Sequence, residues 1–262
     1  MTHMIRIVPP RALLLPLLFA ALPLIPAVAQ TLETETARLL VRKAVKFGAN
    51  FEYQRSADGR ERALPMFFEY GVTSTTELVI EPVFYTSIRP KVGSGATGAG
   101  DLEITLVQQL FGETASRPAF AIAGEVKVPT ARNVLIGTGR TDFAGYLIAS
   151  KRFGRLDTHV NLGYTVVGKP VGAPLRNIAN FAVAGMYDLG RRAKLYGEVL
   201  ANTAATIGAA ETSTTPEAAG GEIVGTLGVG HYVSQRAFVT FGLSYDNSGA
   251  VLFRPGVTFR IP

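Results

Sequence analysis

Polar side chains recur singly along this sequence, with the residue types and spacing that line a polar interior. The candidates are five carboxylates, one lysine and one amide: Glu69, Glu81, Glu103, Glu125, Glu198, Lys127 and Asn161. Each lies in a run in which apolar residues alternate with polar or small ones, so each falls on the polar face of its run. Such a set either selects or conducts a solute, or pairs with itself and fills a narrow interior. Both alternatives are open, and we predict that the set marks where a solute pathway would run.

Catalytic chemistry finds little support in the sequence. Ser150 with His159, and His231 with Ser234, are the candidate nucleophile and base pairs, but no Gly-x-Ser-x-Gly motif occurs. His159 lies on the polar face of its run, whereas a lipid-acting hydrolase needs a site reachable from lipid. Three histidines and no cysteine form no recognisable metal cluster. We therefore predict that the protein is not an enzyme and uses no metal or cofactor.

Two glycine-rich segments resemble nucleotide-binding loops only superficially. Gly93 to Gly98 matches Gly-x-Gly-x-x-Gly, but a strand-like run follows at Gly100 where the dinucleotide fold requires a helix. Ile136 to Asp142 lacks the Gly-Lys-Ser/Thr ending of a phosphate-binding loop. We interpret both segments as extracellular loops. The second supplies the candidate loop residues Gly137, Gly139, Arg140 and Asp142.

Strands with a period of two must position these residues. In Ala119 to Val128, Phe, Ile, Gly and Val alternate with Ala, Glu and Lys, which is typical of a strand with one apolar face. Twelve such strands are predicted, near residues 43–54, 62–71, 76–89, 100–111, 118–129, 141–153, 157–168, 177–189, 193–204, 220–233, 236–245 and 250–261. An even number is expected of a single-chain bacterial barrel. The predicted fold is an all-β, antiparallel, up-and-down transmembrane β-barrel.

The connections between these strands alternate in length. Short turns such as Gly154 to Leu156 alternate with long ones such as Thr130 to Arg140 and Ala205 to Ala219. Short periplasmic turns and long extracellular loops are typical of outer-membrane barrels. Pro82 removes a backbone donor within the third strand, so a bulge is expected there. Thr31 to Lys46 is the alternative position for a plug helix, but it is short, and we interpret it as a lead into the first strand.

The first 29 residues differ in composition from the rest. Arg6 and Arg11 precede an apolar run, Ala12 to Leu22, and the segment closes on Ala27-Val28-Ala29, which is the order of a secretory signal peptide. Prolines interrupt the run, and it is shorter than the roughly 20 residues of a spanning helix. We predict cleavage after residue 29 and a barrel over residues 30–262. The net charge of +6 is scattered, so no nucleic-acid partner is predicted.

A set of short motifs resembles a known family. The motifs are Phe68-Glu69-Tyr70-Gly71-Val72, Gly100-Asp101-Leu102, Glu125 to Thr130, Gly137 to Asp142 and Asn161-Leu162-Gly163-Tyr164. In this order and spacing they are similar to the phenol-degradation-pathway outer-membrane proteins, often labelled simply transporters. The resemblance implies an outer-membrane barrel associated with uptake of aromatic or hydrophobic compounds, and it carries no catalytic residues.

These observations together predict a bacterial outer-membrane channel for passive passage of a small solute. The expected partners are outer-membrane lipid, that solute and the barrel-assembly machinery. The alternative is a non-conducting barrel whose long loops bind a partner. A lipid-acting enzyme is a third and weaker alternative.

Overall fold

A computed structural model describes residues 34–173, 175–205 and 221–262. The predicted signal peptide and most of the loop from Ala205 to Ala219 therefore lie outside the described residues. The strands are β1 (Val45–Asn50), β2 (Glu52–Arg55), β3 (Gly59–Gly71), β4 (Thr76–Pro90), β5 (Ala96–Gly98), β6 (Leu102–Phe111), β7 (Ala119–Val128), β8 (Asp142–Phe153), β9 (Leu156–Val166), β10 (Ile178–Asp188), β11 (Ala193–Asn202), β12 (Glu222–Tyr232), β13 (Ala237–Asp246) and β14 (Val251–Ile261).

Antiparallel pairing of neighbours closes these strands into a barrel. β14 pairs with β1 and, beyond the break at Phe51, with β2, so β1 and β2 together form one wall strand. β5 adds only a short edge to β4. The wall therefore has twelve strands, which confirms the predicted fold class. The three-residue β5 was missed because it lies in a segment rich in glycine that we had interpreted as loop.

The two faces of the wall differ as the alternation predicts. Along β13, Val239, Phe241, Leu243 and Tyr245 are exposed on the outside, whereas Thr240 and Ser244 are buried inside. A closed wall pairs its backbone groups, and the apolar outer face suits hydrocarbon. This architecture is that of a bacterial outer-membrane barrel. Across the residues that the structure describes, no helix is long and apolar enough to cross a membrane.

Two irregularities interrupt the ladder near the predicted places. Between β3 and β4, the pairs Ala63↔Thr86 and Pro65↔Val83 leave one extra residue on β4, between Val83 and Thr86. The distortion expected in the third predicted strand is therefore present, but it lies just beyond Pro82 and adjoins Pro65 of β3, a second residue that cannot donate to the ladder. A second register shift lies at the end of β6, between Gln109 and Phe111.

The segment before β1 is the largest departure from the prediction. Residues 34–44, called the plug segment below, contain no helix. Their contacts nevertheless lie on the inner faces of β4, β6, β8, β9 and β11. The interpretation of this stretch as a mere lead into the first strand was therefore wrong. An extended chain is narrower than a helix, so it fits within the lumen. Its backbone groups can then form hydrogen bonds with side chains of the wall.

Candidate functional site

The plug segment is held in the lumen by backbone hydrogen bonds to wall side chains. The Thr34 amide donates to Glu198 Oε1 over 2.7 Å, and the Leu40 amide donates to Glu77 Oε2 over 2.6 Å. Asn161 binds residue 35 twice, since its Oδ1 accepts from the Glu35 amide (2.6 Å) and its Nδ2 donates to the Glu35 carbonyl (3.0 Å). These wall residues replace the strand partners that an isolated extended segment lacks. Glu198 and Asn161, both predicted lumen residues, thus bind the plug.

An ion-pair network fixes the middle of the plug segment near the periplasmic turns. The Arg38 guanidinium contacts Glu113 Oε2 at 2.7 Å and also pairs with Asp157. Although partial burial acts in the opposite direction, a hydrogen bond from the Arg152 amide and the Arg38 charge lower the pKa of Glu113. Glu113 lies in the turn between β6 and β7, so the contact joins the plug segment to the rim of the barrel. Local sequence does not identify Arg38 as a site residue, because its partners are distant along the chain.

The candidate pair Ser150 and His159 is brought together, but beneath the plug segment. Ser150 Oγ lies 2.9 Å from His159 Nδ1, and both side chains are buried. Ser150 Oγ also accepts a hydrogen bond from the Ala37 amide at 2.9 Å. The serine hydroxyl therefore binds the plug backbone on one side and an imidazole on the other. His231, in the other candidate pair, is exposed on the outer face of β12.

Part of the inner wall is apolar. The inward side chains Val79, Val107 and Ile148 cluster with the small inward alanines of β7. Ala37 and Leu39 of the plug segment pack against this cluster. We call these wall residues, with Ala119, Ala121 and Ala123, the apolar strip. The plug segment covers the strip, so apolar surface that would otherwise line the lumen is removed from water.

Further from the periplasmic turns, the same wall becomes acidic. Glu81 and Glu103 are direct cross-strand partners on the inner face, and Glu103 is in turn opposite Lys127. Lys127 Nζ lies 2.5 Å from Asp142 and 3.8 Å from Asp101. Glu125 accepts a hydrogen bond from the Thr105 hydroxyl at 3.3 Å. Lys127 therefore carries a positive charge within a largely negative surface, which is a field suited to selecting charged solutes.

The remaining predicted residues take structural positions. Glu69 pairs with Lys46 at 2.6 Å, and both side chains are buried on the inner face. In the predicted loop, Gly137 lies against the Asp101 carboxylate, where a Cβ atom would come within 2.6 Å of Asp101 Oδ2. Gly139 has φ +67°, a conformation that favours glycine. Arg140 is exposed, and Asp142 begins β8.

Aromatic side chains that point inward lie flat over glycines of the neighbouring strands. A Cβ atom on Gly228 would fall 2.2 Å from Tyr196 Cζ, and one on Gly230 would fall 2.1 Å from Phe238 Cζ. A glycine beneath each ring lets the ring lie against the wall instead of crossing the lumen. Tyr196 and Phe238 are accordingly among the most buried large side chains.

Solved structures share this architecture. An outer membrane channel from Pseudomonas putida F1 is similar with a TM-score of 0.66 at 9% identity, over 86% of this chain and 98% of that chain. The NanC porin gives a TM-score of 0.57 at 9% identity and the KdgM porin 0.53 at 10%; both cover 81% of this chain and 98% of their own. No family model and no curated protein matches the sequence. At such low identity the likeness shows the fold alone.

Proposed function

We propose that this protein is a passive outer-membrane channel for a small aromatic or hydrophobic solute, closed at rest by the plug segment. The observation that carries the proposal is the plug segment itself. Its hydrogen bonds and ion pairs reach side chains of five wall strands, and its apolar contacts cover the apolar strip. The contacts of residues 34–40 with wall side chains can be exchanged for water or solute without breaking any pair of the barrel ladder.

The apolar strip is the reason for the proposed solute class. When the plug segment leaves, Val79, Val107 and Ile148 face the lumen without Ala37 and Leu39 over them. An aromatic or aliphatic solute replaces those contacts and keeps apolar surface out of water. The acidic surface around Lys127 would meet the solute on the extracellular side and exclude anions more than neutral molecules. The resemblance to outer-membrane proteins of phenol degradation points to the same class.

The test is permeability of the purified protein in liposomes, with and without the plug segment. A panel of a phenol, a sugar and a salt would be compared for the intact protein and for a variant lacking residues 34–43. We expect faster entry of the phenol into liposomes with the intact protein than into protein-free ones, and a further increase after the deletion. Equal, background permeability for both proteins would contradict the proposal.

Two further parts of the proposal concern biogenesis. Residues 1–29 act as a cleaved signal peptide, and the barrel is inserted by the assembly machinery of the outer membrane. N-terminal sequencing of protein from outer membranes would give Gln30 as the first residue, and a different start would disprove this cleavage site.

A non-conducting barrel is the alternative function, and the burial of charged side chains inside the barrel favours it. Glu69 pairs with Lys46, and Glu198 Oε1 accepts from the Thr34 amide, as in an interior filled by its own side chains. In this alternative the deletion variant would gain no permeability. The liposome experiment therefore separates the two functions.

A further inference from the structure

A row of arginines lies on the outer face of the barrel at its extracellular end. Arg55, Arg60 and Arg89 belong to adjacent strands β2, β3 and β4, and they stand directly opposite one another, Arg55↔Arg60 and Arg60↔Arg89. All three side chains are exposed. Because directly paired residues share one face of a sheet, the three guanidinium groups extend from the same surface. Like charges placed directly opposite each other destabilise a sheet, so a bound anion would stabilise this row.

The same row continues across the wall into lipid-facing residues. Arg55 is opposite Val251, which is opposite Tyr245, and both of these side chains are exposed. Tyrosines on the outer face of such barrels occupy the level where hydrocarbon meets headgroups. The arginine row therefore belongs to the face that contacts the outer leaflet.

A fourth arginine lies on the next rung of the ladder. Arg62 is opposite Tyr53, and its guanidinium carbon lies 5.7 Å from the centre of the Tyr53 ring. Tyr53 is in turn opposite Phe253 on the outer face. An arginine over a tyrosine holds its side chain along the wall with the charged group towards the headgroups.

Carboxylates of these strands do not share this face. Glu52 pairs with Arg254 at 2.8 Å on the inner side, and Glu61 stands opposite Gln54 and Ile88 in the inward phase. Asp58 is at the tip of the β2–β3 hairpin, where its carbonyl accepts from the Lys91 amide at 2.7 Å. Five cations, Lys91 included, thus lie at this edge, and the cleft that Arg60 and Arg89 line also carries the carboxylates of Asp58, Glu61, Glu222 and Asp246.

We propose that this row binds the phosphate groups of lipopolysaccharide, the phosphorylated glycolipid of the outer leaflet. Guanidinium groups bind phosphate with two parallel hydrogen bonds, and neighbouring arginines can share one phosphate. The acyl chains then lie along the apolar residues beneath the row.

The experiment compares lipid binding by the full-length protein and by two charge-matched double variants. Native mass spectrometry of the folded protein in detergent would be titrated with lipid A, dephosphorylated lipid A, phosphatidylglycerol and inorganic phosphate. In the test variant, Arg55→Gln with Arg60→Gln, we expect the Kd for lipid A to rise about tenfold or more, because charge-assisted contacts are lost. The control, Arg132→Gln with Lys169→Gln, changes exposed cations of other extracellular loops and should keep the original Kd.

Folding of each variant is checked by its electrophoretic mobility before and after heating. Dephosphorylated lipid A should bind as weakly to the original protein as lipid A does to the test variant. Three results would each overturn the proposal: equal binding of dephosphorylated lipid A, equal binding of phosphatidylglycerol, or equal losses in the two double variants. Competition by inorganic phosphate at the same concentration would instead show a site for free anions, and would also refute the lipid assignment.

Discussion

Replacing Arg38 with alanine is predicted to open the channel. Arg38 makes one ion pair with Glu113 at 2.7 Å and a second with Asp157, and it is the charged residue that joins the centre of the plug segment to the rim. The Asp157 side chain is 8% exposed, whereas those of Arg38 and Glu113 are 25% and 21% exposed. Solvent therefore screens the contact with Glu113 more than the contact with Asp157.

The magnitude follows from these two contacts. A hydrogen bond to a charged group contributes about 1.5–3 kcal/mol when well buried, and an exposed ion pair contributes less than about 1 kcal/mol. With one contact mostly buried and the other partly exposed, the combined loss is about 2 kcal/mol. At about 1.4 kcal/mol for each factor of ten, the ratio of open to closed channels rises about 30-fold.

Single-channel recording in planar bilayers measures this ratio directly. Arg42→Ala is the matched control, because Arg42 lies in the same segment but is exposed. We expect Arg38→Ala to increase the open probability without changing the conductance of the open state, and Arg42→Ala to leave both unchanged. The variant lacking residues 34–43 defines the fully open limit. The reasoning fails if the deletion opens the channel and Arg38→Ala does not differ from Arg42→Ala.

Three other outcomes are expected. Because the pKa of Glu113 is lowered below its ordinary value of 4.5, its ion pair is complete above that pH and is lost as the pH falls through the lowered pKa. The open probability should thus be constant near neutral pH and rise only in strong acid. In the Glu113→Gln variant the open probability should be high at every pH. An increase in open probability on going to alkaline pH would contradict this reasoning. Gly228→Ala should destabilise the barrel by about 2 kcal/mol because the new Cβ overlaps the Tyr196 ring, whereas Gly225→Ala, on the same strand with no atom closer than 4.0 Å, should not. The temperature at which heating changes the electrophoretic mobility measures this, and equal shifts would refute it. Lys127→Ala removes a cation beside two aspartates, so the reversal potential in a salt gradient should move towards cation selectivity. An unchanged reversal potential would mean that ions do not pass through the lumen near Lys127.

Much of the barrel follows from local sequence. Alternation with period two identifies a strand and the face of each residue without knowledge of its partners, as in Ala119 to Val128. The same alternation placed Glu81, Glu103 and Glu125 on one inner wall, and the structure has them there. Pro82 indicated the distorted part of β4 because the missing donor is a property of that residue alone. The closed twelve-strand fold could be predicted because the lengths of the connections between strands also alternate.

The plug segment shows what the sequence could not decide. Its residues have no alternating pattern, and the wall side chains that bind its backbone lie 37 to 164 positions away in the chain. Whether Arg38 meets Glu113, or Thr34 meets Glu198, depends on the register and curvature of the closed wall. The arginine row has the same origin, because Arg55, Arg60 and Arg89 become neighbours only through cross-strand register. Sequence periodicity determined which face each residue takes, and only the tertiary structure decided which residues meet across strands and lumen, since those contacts are long-range.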